Sequence, residues 1–598
     1  MWTLYFRAGP DSKPPWNTLG QARSFSNHFN SETCFQKIQE WAKLCEESHA
    51  HPDCKRDASA GLPQRVIEIS VDSEGLGSVT LALRETNGEV GRYIALSHCW
   101  GTIPIVTTDL ANIEHMKQEI DLESLPQTFK DAIHCAHKLG INYIWIDSLC
   151  IIQDSTSDWE IQSSKMASIY ANAYFVLVAA SADSDAKGFL HERPKRYQGI
   201  PLEALEGSGV HEVMVNHTMP HPSGLWKVRA KSVMLDSQVD RRAWVMQETV
   251  LARRVVYIHT RRARVRHFDQ SDHQSRQFTS YRGIKQSDLA GDYPTFQAMT
   301  IGFSFFRQSY EIDVHTRPFA QLHSAECTYA EWRLVIVPLY TAKRITYVKD
   351  RLPALSGLAS RVKDYLQDEY IAGLWSGDMP MSLIWYVRSN SKRPAPSNYM
   401  SPSFSWVSLN KPVVYPALHR QNEFGGPMYS SPTVKVLEAN TSVKGSNPFG
   451  VVNDGYLRLE GLTRPLSLIL DGVESKIEVG SCHHDLAWYP DTPLVAVNLA
   501  PTNGDEESVI SVNRSSKPAD PSQQRSQVTV TCVLVIERPH VEETELCQSY
   551  DEYALLVLGR LKSRPEVYQR LGLVFISLEP AVAEKWVAGA EMRDLLIV

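Results

Sequence analysis

The chain has 598 residues, of which 43% are hydrophobic and 22% charged, and its formal net charge is -7. This length predicts roughly three or four globular domains, and the slight acidity argues against a nucleic-acid partner. No apolar run reaches the roughly eighteen residues of a membrane span, and the first residues lack a secretory-signal pattern. Ten cysteines spread along the chain are typical of reduced thiols, so we predict a cytoplasmic protein with no membrane span.

Residues 1–33 are rich in Pro, Ser, Asn and Gly and predict a loose N-terminal lead-in. Residues 34–90 predict a helix followed by a β-hairpin. Apolar side chains recur every three residues between Cys34 and Cys45, which is a helical spacing. Two alternating runs then follow, R-V-I-E-I-S and V-T-L-A-L-R, and they indicate the two strands of the hairpin.

Residues 91–265 alternate strand-like and helix-like segments around an insertion at 181–240. Strand–helix–strand order predicts an α/β domain with a parallel sheet, because parallel strands need crossover connections. The predicted strands are 93–97, 143–149, 174–180 and 255–258, and the predicted helices are 125–139, 158–171 and a short one near 241–248.

The rest of the chain carries no block with a chemical pattern. Residues 266–393 predict a mainly helical region, and residues 394–598 predict a β-rich C-terminal domain, because short alternating runs with frequent Gly and Pro follow residue 394. The segment 501–527 is polar and poor in apolar residues, which predicts a disordered insertion.

Three blocks indicate a site: Y-I-A-L-S-H-C-W-G (93–101), Y-I-W-I-D-S-L-C-I-I-Q-D (143–154) and R-R-A-W-V-M-Q-E (241–248). The first two are apolar runs that end in polar side chains, as buried parallel strands do where they open onto a ligand site. In the third, Trp244 and Glu248 lie four residues apart, so a helix places them on one face. We therefore expect one pocket lined by Ser97, Trp100, Gly101, Asp147, Trp244 and Glu248.

These blocks, together with L-P-Q-T-F-K-D-A-I (125–133) and M-A-S-I-Y-A-N-A (166–173), resemble the HET (heterokaryon incompatibility) domain of filamentous fungi. Two residues depart from the family pattern: His98 stands where Tyr is common, and Ala243 where Gly is usual. The resemblance implies an allorecognition effector that triggers cell death or growth arrest. It also implies signalling proteins as partners, or self-association through the HET domain.

HET domains are in turn distantly similar to TIR domains, many of which hydrolyse NAD. Y-I-A-L-S, I-N-Y-I-W-I-D and A-Y-F-V-L-V-A-A-S resemble the first three TIR strands, which implies a TIR-like, flavodoxin-like parallel sheet. W-V-M-Q-E resembles the TIR helix in which Trp precedes the catalytic Glu by four residues. The match implies Glu248 as the catalytic residue of an NAD glycohydrolase, with NAD as substrate and no firm cofactor. The alternative is a non-enzymatic, self-assembling signalling or scaffold module.

Cleavage of NAD releases neutral nicotinamide and needs no general acid, so one carboxylate beside the ribose suffices as the main catalytic group. In this interpretation Trp244 stacks on a ring or excludes water, and Asp147 holds ribose hydroxyls. Gly101 lets the backbone approach a phosphate.

Each of these residues also has a structural interpretation. Trp244 and Trp100 are large enough to be core side chains, and Asp147 is suited to cap the turn after its strand. Glu248 has three arginines close to it in sequence as ion-pair partners: Arg241, Arg253 and Arg254.

Two other kinds of site compete with the carboxylate site. One is a Cys–His hydrolase, with Cys99 or Cys150 as nucleophile and His98 or His134 as base, although thiols at the ends of apolar strands are usually inert. The other is a zinc site, because Cys₃His sets suit tetrahedral Zn²⁺. Its candidate ligands are Cys34, Cys45, His51 and Cys54.

Overall fold

The computed structural model divides into two compact units, residues 1–309 and 310–598. It describes residues 3–8, 28–48, 61–71, 79–101, 106–192, 200–203, 212–218, 237–259 and 262–267 of the first unit. In the second unit it describes 325–387, 396, 398–416, 431–471, 474–478, 485–498, 510–514, 526–538 and 551–598. Among these residues no helix is both long and apolar enough to cross a membrane.

The first unit is built around a seven-stranded sheet. Its strands are β2 (Arg65–Val71), β3 (Val79–Glu85), β4 (Tyr93–Ser97), β5 (Tyr143–Trp145), β6 (Phe175–Val178), β9 (Arg254–His259) and β10 (Arg262–His267). Their order across the sheet is β10-β9-β6-β4-β5-β2-β3. Its four middle strands, β9, β6, β4 and β5, are parallel, and the outer strands are antiparallel. Every residue of β4 and β6 is buried, as expected for parallel strands that are covered on both faces.

Helices connect the parallel strands, which confirms the predicted α/β class. The first unit contains α1 (Glu32–Ser48), α2 (Ile113–Gln118), α3 (Gln127–Lys138), α4 (Asp147–Cys150), α5 (Thr156–Asn172) and α6 (Val245–Val250). Helix α3 follows Pro126, and Gly140 comes just after it with φ +71°, a conformation that glycine adopts without strain. Ser155 caps α5 by accepting a hydrogen bond from the backbone N–H of Asp158.

The strand order places a topological switch point at the carboxyl edge of the sheet. After β4 the chain moves to β5 on one side, and it then crosses through α5 to β6 on the other side of β4. The connections on the two sides of β4 therefore leave in opposite directions. In open α/β sheets, ligands bind at such a switch point, beside the carboxyl ends of the strands.

Three local expectations need correction. The predicted strand 143–149 ends at Trp145, because the N–H groups of Leu149 and Cys150 bond to the carbonyl of Ile146 and form a helical turn instead. The lead-in contains a strand, β1 (Thr3–Ala8), which pairs with β8 (Glu212–Thr218); β8 also pairs with β7 (Ile200–Glu203). The hairpin β2–β3 continues the seven-stranded sheet, because β2 pairs with β5.

The described part of the second unit begins with helices and ends in a large, mainly antiparallel sheet, which confirms a β-rich C-terminal region. The helical part contains α7 (Ala325–Glu331), the π-helix Trp332–Ile336, α8 (Val337–Ala342), α9 (Ser356–Leu366) and α10 (Met379–Ser382); α11 (Pro580–Ala588) follows later. Short strands lie among these helices: β11 (Tyr370–Ile371), β12 (Leu374–Trp375), β13 (Tyr386–Val387) and β14 (Val413–Val414). Residues 268–324, in the region expected to be mainly helical, lie outside the described part of the chain.

The large sheet has nine strands, and their apolar sides form the core of this unit. They are β15 (Ser431–Pro432), β16 (Lys435–Val443), β17 (Val452–Asp471), β18 (Glu474–Glu478), β19 (Asp485–Pro490), β22 (Ser526–Arg538), β23 (Asp551–Arg560), β24 (Tyr568–Leu578) and β25 (Glu591–Ile597). A separate hairpin joins β20 (Leu494–Asn498) to β21 (Ile510–Arg514), so part of the segment 501–527, expected to be disordered, is a strand. Residues 501–509 and 515–525 of that segment lie outside the described residues.

Candidate active site at the carboxyl edge of the parallel sheet

Ser97 and Glu248 meet at the carboxyl end of β4. The Ser97 hydroxyl donates a hydrogen bond of 2.6 Å to Oε2 of Glu248, and the two side chains are 0% and 2% exposed. The contact joins the end of β4 to α6, across 151 residues of sequence. The fold therefore places a buried carboxylate at the position where open α/β sheets bind ligands.

Helix α6 orients Glu248 as the sequence pattern predicts. Trp244 precedes the helix, and its carbonyl accepts a hydrogen bond from the N–H of Glu248, so the two residues lie one turn apart. Trp244 is half-buried and packs against the core of the first unit, so it covers part of that core and is still partly exposed.

Arg242 places a positive charge near Glu248 and Asp147. The sequence analysis did not include it among the site residues. It donates a hydrogen bond to the carbonyl oxygen of His98. Burial acts to lower the pKa of Arg242, but the carboxylates of Glu248 and Asp147 outweigh that effect and raise the pKa above its usual value. Arg254, one of the arginines considered as a partner of Glu248, donates instead to Cys45 and to the carbonyl of Tyr174.

Asp147 and Trp100 form a second contact at the same edge. The indole N–H of Trp100 donates to Oδ2 of Asp147 at 2.9 Å, and both side chains are half-buried. The Oδ1 atom of Asp147 accepts from the N–H of Ser148 at 2.8 Å, within the helical turn that begins here. The Asp147 carboxylate thus links the segments that follow β4 and β5, and it stays partly exposed.

Gly101 follows Trp100 in a conformation that favours glycine, with φ +81°. A Cβ at this position would lie 2.7 Å from the Cβ of Ser184, so the loop after β6 also requires a glycine here. The close approach of Ser184 accounts for this glycine without a ligand. Residues 102–105, which follow it, are outside the described residues.

His98 and Asp185 lie beside Asp147. The sequence analysis considered His98 only as a base for a cysteine, and it missed Asp185. Nε2 of His98 is 3.4 Å from Oδ1 of Asp185 and 3.7 Å from Oδ1 of Asp147. Burial lowers the pKa of His98 to about 4. Burial, with a smaller contribution from Asp147, raises the pKa of Asp185 to about 8. The signal available in the sequence was that Asp185 follows the third strand, as Asp147 follows the second.

The cysteines near this edge are poor nucleophiles. Burial raises the pKa of Cys99 to about 11 and that of Cys150 to about 12, so both thiols are protonated at neutral pH. His134, one of the two bases considered, lies on α3 and bonds to the side-chain oxygen of Asn30. The structure therefore favours the carboxylate site over a Cys–His hydrolase.

The zinc hypothesis is wrong for the pair Cys34 and Cys45. Both residues lie on α1, eleven residues apart, which is about 16 Å along a helix axis. One zinc ion with Zn–S bonds of about 2.3 Å cannot reach both. The other two proposed ligands, His51 and Cys54, lie outside the described residues, and the described part of the chain contains no cluster of His, Cys, Asp or Glu suited to a metal ion.

A separate cavity of about 560 Å³ lies at the opposite edge of the sheet. It is lined by Tyr93, the first residue of β4, and by residues of the β3–β4 connection and of α5. Ser97 is the last residue of β4, roughly 13 Å further along the strand. This cavity is therefore distinct from the cluster around Glu248.

Comparison with known families identifies the domain that contains the Glu248 cluster. Residues 93–248 match the family model described as heterokaryon incompatibility protein (HET). The chain carries a HET domain. The match begins at the first residue of β4 and ends at Glu248, so the HET domain supplies both partners of the Ser97–Glu248 bond. It confirms the family resemblance and associates the chain with heterokaryon incompatibility. No curated protein and no solved structure matches the chain.

Proposed function

We propose that this HET protein is an allorecognition effector that triggers cell death or growth arrest, and that its HET domain hydrolyses NAD with Glu248 as the catalytic carboxylate. The observation that carries the proposal is the buried Ser97–Glu248 pair at the switch point of the parallel sheet. A carboxylate held by a neighbouring hydroxyl in a water-poor site interacts strongly with a developing positive charge.

The strand order supports a TIR-like, flavodoxin-like interpretation of the domain. Numbered along the chain, the parallel strands β4, β5, β6 and β9 are arranged 2-1-3-4 across the sheet. A flavodoxin-like sheet has this order, and its ligand lies between the strands numbered 1 and 3. Here those strands are β4 and β6, and Ser97 is paired with Val178 at their carboxyl ends.

The chemistry needs one carboxylate and a water molecule. The bond between the ribose C1′ and the nicotinamide nitrogen breaks, its electron pair goes to the ring, and nicotinamide leaves as a neutral molecule. The positive charge on the ribose is stabilised by Glu248, while the Ser97 hydroxyl holds that carboxylate in place. Water then adds to C1′, and its proton passes to solvent, which leaves ADP-ribose.

The half-buried side chains around Glu248 are suited to hold the rest of a dinucleotide. Trp100 and Trp244 offer aromatic faces to the nicotinamide or adenine ring. Asp147 has lone pairs for ribose hydroxyls, and Arg242 supplies positive charge for the diphosphate. Arg242 makes the site suit NAD better than a neutral sugar, because a neutral sugar has no negative charge for it to bind.

The test is nicotinamide release from NAD by the purified full chain. Wild type should release nicotinamide, and Glu248→Gln should reduce the rate by at least about a hundredfold, because Gln keeps the size and lacks the charge. Glu114→Gln is the matched control, because Glu114 is exposed on α2 and its partner Lys117 lies on the same surface helix. Equal rates for wild type and Glu248→Gln would contradict the proposal.

Expression in a fungal host separates catalysis from assembly. The proposal predicts growth arrest with wild type and normal growth with Glu248→Gln at equal protein levels. If both arrest growth, and no nicotinamide is released even after forced self-association, the domain acts instead as a non-enzymatic scaffold that recruits partners.

A further inference from the structure

Two buried side chains next to the site have unsatisfied polar atoms. Among the described residues, neither ring nitrogen of His98 and neither carboxylate oxygen of Asp185 has a hydrogen-bond partner within normal geometry, although the side chains are 1% and 2% exposed. Buried polar groups are nearly always hydrogen-bonded, so this exception needs an explanation. Nε2 of His98 and Oδ1 of Asp185 face each other at 3.4 Å.

The fold fixes Asp185 through its backbone. Its carbonyl accepts from the N–H of Thr128 on α3 at 2.9 Å. The Thr128 hydroxyl accepts from the N–H of Gly188, and the carboxylate of Asp131 accepts from the N–H groups of Phe189 and Leu190 at 2.6 and 3.0 Å. Helix α3 therefore holds the loop 183–190, and the loop presents Asp185 to His98.

His98 is held on its other sides as well. The edge of its ring contacts Phe129 at a centroid distance of 5.2 Å, and its carbonyl accepts from Arg242. Its neighbours in the chain make the two contacts of the site: Ser97 donates to Glu248, and Trp100 donates to Asp147. Contacts that hold His98 in place therefore also hold the turn 97–100 against the carboxylates of Glu248 and Asp147.

We propose that Asp185 is a positioning residue whose carboxyl O–H donates to Nε2 of a neutral His98, and that this pair holds the turn 97–100 in register with Glu248 and Asp147. The geometry supports such a pair, because Nε2 of His98 and Oδ1 of Asp185 are buried 3.4 Å apart and each lacks another hydrogen-bond partner among the described residues. The pKa values agree: burial raises that of Asp185 to about 8 and lowers that of His98 to about 4.

The charged groups that face the His98–Asp185 pair are one anion and one cation, so their charges oppose each other. Asp147 and Arg242 face it with opposite charges, and both affect the pKa of His98 and of Asp185. The thiol of Cys99 is uncharged at neutral pH, because burial raises its pKa to about 11. Asp183, at the start of the same loop, is exposed and paired with Lys187 at 2.8 Å.

Two substitutions distinguish a protonated Asp185 from an ionised one. Asp185→Asn can still donate an N–H to Nε2, so nicotinamide release should stay within about threefold of wild type. Asp185→Ala removes the donor, and kcat should fall at least about tenfold with little change in KM, because the misplaced turn affects the reacting carboxylate. If Asn impairs kcat as much as Ala, Asp185 is an anionic partner of a protonated His98 and the inference is wrong. This arm depends on the proposed NAD hydrolysis.

The pH dependence of unfolding tests the inference without any activity. The pKa of Asp185 is about 8 in the folded protein and 3.8 for an ordinary Asp, so between these values the folded state holds one more proton than the unfolded chain. Its contribution to stability therefore falls as pH rises through this window. The lowered pKa of His98 acts in the opposite sense, but only below its ordinary value of 6.5. Between pH 6.5 and 8 the effect of His98 on stability is therefore small, and this interval reports on Asp185.

Across that interval, the unfolding temperature of wild type should fall more than that of Asp185→Asn, which cannot ionise. Asp183→Asn is the matched control from the same loop: Lys187 lowers the pKa of Asp183, so this variant should keep the wild-type slope. Identical slopes for wild type and Asp185→Asn would overturn the inference. If no variant releases nicotinamide but the slopes differ as described, the proposed function fails and the positioning pair stands.

Discussion

The two units each contain a buried polar cluster, and the clusters differ in how completely their polar atoms are bonded. In the second unit, Arg570 and Asp491 are both fully buried and form an ion pair of 3.0 Å. The guanidinium also donates to the carbonyls of Leu383 and Trp385 and lies 3.3 Å from the centre of the Trp385 ring. In the first unit, the facing atoms of His98 and Asp185 are 3.4 Å apart and lack hydrogen-bond partners among the described residues.

If the proposed function holds, this difference separates a structural cluster from a functional one. A fully bonded buried network makes the packing rigid and leaves no group free to bind a ligand. A cluster with unsatisfied or partly exposed polar groups costs stability, and such costs persist mainly at sites that use them. Under the proposed function, the carboxyl edge of the HET domain belongs to the second kind.

The largest expected effect is on the unfolding free energy, at the fully bonded cluster around Arg570. Arg570→Met removes the partner of the buried Asp491 carboxylate, so the unfolding free energy should fall by about 3–5 kcal/mol. Denaturant unfolding of the full chain measures it. The control is Arg458→Met, since Arg458 pairs with Asp594 on the surface and its loss should change stability little. A small effect of Arg570→Met would mean that complete bonding does not mark a structural cluster.

Ser97→Ala should have an intermediate effect, on both stability and activity. The buried Glu248 loses a hydrogen bond, which costs about 1–3 kcal/mol of unfolding free energy. Nicotinamide release should fall about tenfold or more, because the carboxylate is no longer held. Denaturant unfolding and the rate of nicotinamide release are both measured on the same preparation. Loss of stability with an unchanged rate would assign Ser97 to packing alone.

The smallest expected effect is that of Cys99→Ala. The pKa of this thiol is raised to about 11, so it takes no part as a nucleophile, and the rate should stay within about threefold of wild type. Alkylation with iodoacetamide at neutral pH gives the second readout, in which Cys99 should be modified more slowly than the half-buried Cys34. A large loss of the rate of nicotinamide release in Cys99→Ala would instead support a Cys–His hydrolase.

The sequence predicts the parts of this site that depend on local patterns. Apolar runs that end in polar residues identified Ser97 and Asp147, and the four-residue step identified Trp244 and Glu248. The Ser97–Glu248 bond spans 151 residues, and no periodicity encodes such a pairing. The role of Asp185 depends on backbone bonds from Thr128 and Asp131, which only the folded loop forms.

Other expectations failed for equally physical reasons. An apolar run does not distinguish a strand from a helical turn, so the segment 143–149 was expected to be extended beyond Trp145. Cysteine and histidine spacing suggested zinc at Cys34 and Cys45, but a continuous helix separates them by three turns. In both cases, backbone geometry decided what side-chain type alone could not.

Hydrogen exchange with and without NAD tests most directly whether the incompletely bonded cluster is the ligand site. The Glu248→Gln variant should bind NAD without consuming it, so exchange can be followed at equilibrium. The account predicts slower exchange in peptides covering 93–101 and 237–250, with no change in 568–578, which contains Arg570. Unchanged exchange at 93–101 and 237–250 under saturating NAD would contradict it.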